Sequence, residues 1–413
     1  MKLERGLIML NEKGIRELAY VAEITDVRPL PGYDRVESVV VNGGWTCVVG
    51  KGQFNKGDLA VYFEIDSKLP EKPPFSDNEF IVKKKYKVQT QKMCKSISQG
   101  LIMSAEDFGG YIYVDGTGIP YLHFDGVSYA KGEFLTEKLG VTYAVSEDNI
   151  RKSSRGDNKY ARMAKHHPKI AKTFIWRWLY KTKVGKRILY AIFGKSEKKK
   201  NTWPSWVQKT DEERVQNMPW ILNDKEPWIV TEKIDGTSTT FTVHKRKRGN
   251  DYDFYVCSRN VVFDSDKKKC YYDENYYTKM AERYNVEKVL TEFAKQGNYE
   301  WVTLQGETFG EGVQKRDYHL KGQEFFAFNL ITDRDGRWNS VQAKMEMDKY
   351  GIHWVPILDT SYILPDTLEE MLAYADGESI CDHDMREGVV LRDKDGKKSF
   401  KAVSNDFLLK YHG

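Results

Sequence analysis

In Thr231-Glu232-Lys233-Ile234-Asp235-Gly236-Thr237-Ser238 a lysine stands two residues ahead of an aspartate and three ahead of a glycine, and both flanks read as strand. Ile229 and Val230 lead in; Thr239, Thr240, Phe241, Thr242 and Val243 lead out. Asp-Gly is a common hairpin turn, so the pattern predicts two antiparallel strands with Lys233 at the end of the first. Taken alone, the segment is a strand end and a turn. The lysine also has a chemical option. An amine attacks phosphorus only when deprotonated, and a free lysine of pKa ~10.4 is almost wholly protonated at neutral pH. A reactive lysine here needs cations or a metal nearby, both to lower its pKa and to neutralise a polyphosphate.

The surrounding 413 residues suffice for two or three domains. A hydrophobic content of 40% supports a core, and a net charge of +5 suits a polyanionic partner without demonstrating one. Cys47, Cys94, Cys257, Cys270 and Cys381 form no Cys-x-x-Cys pair, which argues against a zinc site or disulfide framework. The expected setting is the cytoplasm or another reducing intracellular compartment. Met1 to Gly6 is no secretory signal, and no apolar run is long enough to span a bilayer.

Three regions differ in pattern. Residues 1–135 are strand-rich: Leu18–Ile24, Val36–Val41, a turn at Asn42-Gly43-Gly44, Trp45–Val49 and Leu59–Ile65. Short strands joined by tight turns predict a small OB-like β-barrel. Residues 136–202 form a basic insertion or linker. Within it, positions 151–200 carry seventeen Lys or Arg against two acidic residues. Pro168 opens a helical spacing through Ile170, Phe174, Trp178 and Leu179, continued by Val184, Ile188, Tyr190 and Ile192. Three roles fit: a clamp on nucleic acid, a contact to a membrane surface or partner, or a helical insertion packed on its own domain. Residues 203–413 read as an α/β segment. The stretch from Lys209 to Asn217 predicts a capped helix start, with Thr210 as N-cap and Glu213 three residues on. Glu287 to Lys295 predicts one clear helix.

Five segments after Lys233 supply complementary chemistry in order. Cys257-Ser258-Arg259-Asn260 offers an arginine, and Leu304-Gln305-Gly306-Glu307-Thr308 a carboxylate beside a glycine. Phe325-Phe326-Ala327-Phe328-Asn329 is an aromatic strand. Arg386-Glu387-Gly388-Val389-Val390-Leu391-Arg392 joins a carboxylate to a buried strand, and Ser399-Phe400-Lys401-Ala402-Val403 brings a late lysine. Each residue singly is unremarkable: a solvated carboxylate, a core phenylalanine, a surface arginine. The ordered set is what carries weight.

These segments resemble motifs I, Ia, III, IIIa, IV and V of the covalent nucleotidyltransferases, which comprise DNA ligases, RNA ligases and mRNA-capping guanylyltransferases. The nearer resemblance is to the ATP-dependent RNA ligases with an N-terminal OB module (the RNA ligase 5 family). Glu64-Ile65-Asp66-Ser67, Ser98–Ile102, the Lys209–Asn217 segment and Ser404–Lys410 all resemble that family. The resemblance implies an α+β protein, with an OB-like barrel ahead of an α/β nucleotidyltransferase (ATP-grasp-like ligase) domain. It implies that Lys233 takes AMP from ATP, and that Asp235 and Glu387 hold a hydrated Mg²⁺ or Mn²⁺. Nucleotide contacts fall to Glu232 and Ile234 beside the lysine, Arg259 and Glu307 at the ribose, Phe328 on adenine, Glu387, Lys401 at the α-phosphate, and Arg214 at pyrophosphate. The implied partner is RNA or an RNA-containing nicked duplex, gripped mainly through phosphates and so weakened by salt, by a monomeric enzyme.

Two positions depart from the pattern. Val403 stands where many relatives have a second lysine, with Lys398 and Lys410 as candidate substitutes, and Asn329 stands where many have aspartate. A DNA ligase or capping guanylyltransferase is the neighbouring alternative. The expectation disfavours both, because the barrel comes first and Tyr411-His412-Gly413 follows closely on Lys401. A non-catalytic nucleic-acid-binding protein on the same fold is the alternative from another class.

Overall fold

The computed structural model describes residues 17–143, 182, 203–208, 210–247, 249–259, 262–263 and 275–412. The helices expected between Pro168 and Ile192 lie outside the described residues.

Strands β1 (Ala19–Pro29), β2 (Val36–Val41), β3 (Trp45–Gly50), β4 (Leu59–Phe63) and β5 (Leu101–Met103) form one antiparallel sheet in the order β3-β2-β1-β4-β5. The turn expected between β2 and β3 forms, with Asn42 and Gly43 both at positive φ (50° and 72°). A bulge between Ile24 and Asp26 lets β1 serve two partners: its first half pairs with β4, its second with β2. Both faces of this sheet are buried, in separate clusters around Phe63 and Phe75 and around Trp45 and Tyr62. That is the curled geometry of an OB-fold barrel. A three-stranded sheet of Tyr111–Val114, Pro120–Phe124 and Val127–Tyr129 packs Leu122 and Phe124 into the first of these cores.

The second unit holds two antiparallel sheets. Four strands run in the order β13 (Ile357–Tyr362), β6 (Trp228–Lys233), β14 (Gly388–Asp393), β15 (Ser399–Val403). Six run in the order β9 (Val262–Phe263), β8 (Tyr252–Ser258), β7 (Thr237–Lys245), β10 (Trp301–Gly310), β11 (Gln323–Thr332), β12 (Gly336–Arg337). The Lys233–Thr237 turn therefore joins the sheets rather than closing a hairpin within one. Helices α1 (Tyr276–Arg283) and α2 (Val286–Gly297) contact the six-stranded sheet. Two more helices are α3 (Ser340–Asp348) and α4 (Leu368–Ala375); α2 contains the helix expected from Glu287 to Lys295.

The helix expected from Thr210 does not form. Arg214 is extended (φ −79°, ψ 140°), and only a short 3-10 turn follows at Val215–Asn217. The reason is edge pairing: the Glu213 carbonyl accepts from Lys401 N at 2.7 Å, and Arg214 bridges Lys401 in parallel. Thr210 Oγ1 lies 2.7 Å from Ser238 Oγ instead of capping a helix.

This strap also meets the barrel. Asn217 Nδ2 donates to Glu64 Oε1 and to Glu213 Oε1, both at 2.7 Å, and Asn217 Oδ1 accepts from Trp45 Nε1 at 2.5 Å. Ile65, Val403 and Leu408 close the seam as a small apolar cluster. Among the described residues no helix is long and apolar enough to cross a membrane.

Candidate active site

Strand β6 ends at Lys233 because Asp235 and Gly236 turn the chain towards the second sheet. Gly236 is required by contact: a Cβ there would lie 2.4 Å from the Thr308 carbonyl oxygen and 2.9 Å from Glu307 Cγ. Gly388 has the same role one strand over. Its φ is +151°, and a Cβ would lie 2.3 Å from the Ala402 carbonyl oxygen. The two glycines bring β6, β10 and β14 close enough for their polar ends to share one pocket.

In that pocket Lys233 Nζ lies 2.6 Å from Glu387 Oε1. Burial works to depress the amine, but the charges of Glu387, Glu307 and Asp235 outweigh it and hold the pKa above its ordinary value. Burial pushes the Asp235 carboxyl up to about 7, reinforced by the Glu387 charge and opposed by Lys233. Burial likewise pushes Glu307 up to about 8, against the pull of Lys233. Three carboxyls around one amine are one or two negative charges too many for a water-poor site. A divalent cation relieves that excess.

The donors fit such an ion. Asp235 is 5% exposed, and Glu387 Oε2 is buried with no hydrogen-bond partner among the described residues. No cluster of three or more His, Cys, Asp or Glu among the described residues forms a closed metal cage. Two carboxylate ligands with the remaining positions left to water and phosphate is the usual arrangement for Mg²⁺.

The other expected residues fall at different distances from this centre. Phe328 is half-buried, with the Arg392 guanidinium carbon 5.8 Å from its ring centroid. Arg259 pairs with Asp211 and lies over the Tyr143 ring at 5.1 Å. Lys401 Nζ donates to the same Asp211 at 3.3 Å. Arg214 is 7% exposed beside Trp45, its Nε and Nη1 without hydrogen-bond partners among the described residues. Glu232 differs from expectation in one respect: its carboxylate accepts from Ser379 Oγ at 2.5 Å and Ile380 N at 2.9 Å, so it anchors a loop. Ile234 sends its side chain into the main core.

Both proposed stand-ins for the missing lysine are engaged in exposed ion pairs in this structure. Lys398 pairs with Asp224 at 2.6 Å and Lys410 with Asp384 at 3.0 Å. Val403 itself is in the seam with Ile65, where a lysine would be desolvated.

Sequence reasoning missed Glu212, which is half-buried and bonded to Arg392 at 3.2 Å and to Ser399 Oγ. It also missed Asp211, which gathers Arg259 and Lys401. Both stood inside a segment read as helix, where acidic residues pass for ordinary first-turn charges.

An OB-fold domain stands ahead of two antiparallel sheets, with a lysine held against carboxylates where they meet, and comparison with known proteins places this arrangement among the ligases. Residues 226–412 match the family model described as RNA ligase, and residues 18–105 match an OB-fold domain model. The chain thus carries an RNA ligase domain behind an N-terminal OB-fold domain. Among solved structures, a Naegleria gruberi RNA ligase mutant with ATP and Mn is similar at TM-score 0.69 and 27% identity, covering 96% of this chain and 99% of that one. The Naegleria gruberi ligase with PPi is similar at 0.69 and 27%, covering 95% and 98%. A mutant with AMP and Mn is similar at 0.67 and 27%, covering 96% and 99%. No curated protein matches the chain.

Proposed function

We propose that this RNA ligase is ATP-dependent and carries AMP on Lys233. The observation that carries the reading is the 2.6 Å contact of Lys233 Nζ with Glu387 Oε1, in a pocket charged also by Asp235 and Glu307. The Naegleria gruberi complexes with ATP, AMP, PPi and Mn support the nucleotide and the metal.

Asp235 and Glu387 would hold Mg²⁺ or Mn²⁺, whose charge lowers the amine pKa and offsets charge growing on the phosphate. Lys233 then gives up a proton, and its nitrogen bonds to the α-phosphorus as the bond to the pyrophosphate oxygen breaks. Glu307 accepts from ribose hydroxyls, Phe328 stacks on adenine, and the strand end through Glu232 and Ile234 offers main-chain contacts. Arg259, Lys401 and Arg214 take the ribose and phosphate oxygens. AMP passes next to a 5′-phosphate end. A 3′-hydroxyl attacks that end and displaces AMP, leaving a phosphodiester. The substrate is RNA or a nicked duplex containing it, and the enzyme acts as a monomer.

The test is covalent labelling. With α-labelled ATP and Mn²⁺, wild type is expected to retain label and Lys233→Ala none. Label on Lys233→Ala overturns the assignment of the nucleophile, and none on wild type returns the chain to a binding role. GTP in parallel checks the base, and sealing of matched RNA, DNA and hybrid nicks checks the strand.

A further inference from the structure

The loop between β10 and β11 contributes nothing to the chemistry above, yet it reaches under both metal-binding candidates. Tyr318 Oη accepts from Asp235 N at 2.7 Å. The Tyr318 ring is 3% exposed and packs edge-on against Phe309 at 4.9 Å. Its backbone is left-handed (φ 54°), which is unfavourable for a bulky side chain, so packing must impose the position.

Two residues earlier, the Arg316 guanidinium carbon lies 4.1 Å from the Tyr318 ring centroid. Arg316 is itself 4% exposed. Its Nε donates to Asp382 Oδ2 at 3.1 Å, its Nη2 to Asp382 Oδ1, and its Nη1 to the Met385 carbonyl at 2.5 Å. Met385 stands two residues before Glu387. One stacked pair therefore grips the backbone of Asp235 with a hydroxyl and the loop entering Glu387 with a guanidinium. The two carboxylates sit just past the end of one strand and just before the start of its neighbour, and the Arg316–Tyr318 pair links them in addition to the Lys233–Glu387 contact. A fully buried arginine–aspartate pair is also a costly way to fill space, which favours a role in fixing geometry.

We infer that Arg316 and Tyr318 are positioning residues that set the placement of Asp235 relative to Glu387, and with it the affinity of the site for a divalent cation. The inference rests on the reading that those two carboxylates hold the metal. Groups that orient metal ligands are typically worth about 10–100-fold in affinity.

The experiment uses the full chain without nucleotide. Mn²⁺ affinity is read by electron paramagnetic resonance in wild type and Tyr318→Phe, which deletes only the hydroxyl. Hydrogen exchange over residues 234–238 is read alongside by mass spectrometry. Tyr318→Phe is expected to weaken Mn²⁺ binding about tenfold or more and to speed exchange at Asp235, with the melting temperature little changed. Arg316→Lys, unable to span Asp382 and Met385 together, is expected to shift affinity the same way. Wild-type Mn²⁺ affinity and Asp235 exchange in a folded Tyr318→Phe would overturn the inference while leaving the Lys233 reading intact. A wild type that binds no Mn²⁺ would overturn both.

Discussion

Lys233 is held as a cation by the same carboxylates that would later help to discharge it. Without metal, Glu387 keeps the amine protonated. Replacing that carboxylate removes the cation's ligand as well as the lysine's partner. Glu387→Gln is therefore expected to cut Lys233 labelling by more than about 100-fold even at raised Mn²⁺, measured as the initial rate of adduct formation. Gly388 next to it is a steric test. A Cβ lies 2.3 Å from the Ala402 carbonyl oxygen, so Gly388→Ala must push β14 from β15. A loss of about 1–3 kcal/mol, read by denaturant unfolding, is expected together with lost labelling. At this scale the sequence was legible where chemistry demands a residue type at a spacing: Lys233, Asp235, Glu307 and Glu387 meet as the motif order implied. Tyr318 and Arg316 were not legible, because their value comes from a loop fold with no periodicity to betray it.

Among the elements, the strap of residues 210–217 departs most from expectation. Its composition suits a helix start, yet Glu212 is drawn beneath β14 and β15 by Arg392, Arg337 and Ser399. Burial alone would raise the Glu212 carboxyl; the two arginines bring it below its usual value. Removing one side of such a buried network strands the other. Glu212→Ala is expected to lower unfolding free energy by about 3–5 kcal/mol, measured in urea. Helices α3 and α4 were unread for local reasons. In α3 the apolar residues do not gather on one face: Ala343 and Met347 are buried while Met345 is 65% exposed. The α4 helix is short, but its capping box of Thr367 and Glu370 was a signal present in the sequence. The barrel strands, by contrast, were legible as short apolar runs, with Asn42-Gly43-Gly44 marking the turn between β2 and β3.

For the molecule as a whole, the overcrowded carboxyls make stability depend on pH. Asp235 and Glu307 are raised to about 7 and about 8 in the folded chain. The native state therefore keeps protons that the unfolded chain gives up above about pH 4. Their contribution is fully present below that point and is lost as pH rises through about 7 to 8. The metal-free melting temperature is expected to fall from about pH 5 to pH 8, with a shallower slope in Glu307→Gln, by scanning calorimetry. Adding Mn²⁺ near neutrality is expected to release protons, measurable in weakly buffered solution.

The joint between barrel and catalytic unit bears on how such enzymes can be rebuilt. Asn217 spends both amide hydrogens and its oxygen there, on Glu64, Glu213 and Trp45. A transplanted front module must present an indole and a carboxylate at matching points, or the strap bearing Arg214 loses its tether. Swapping modules by cutting at the linker alone would discard that lock, whereas a graft that carries Trp45 and Glu64 with it would keep the key.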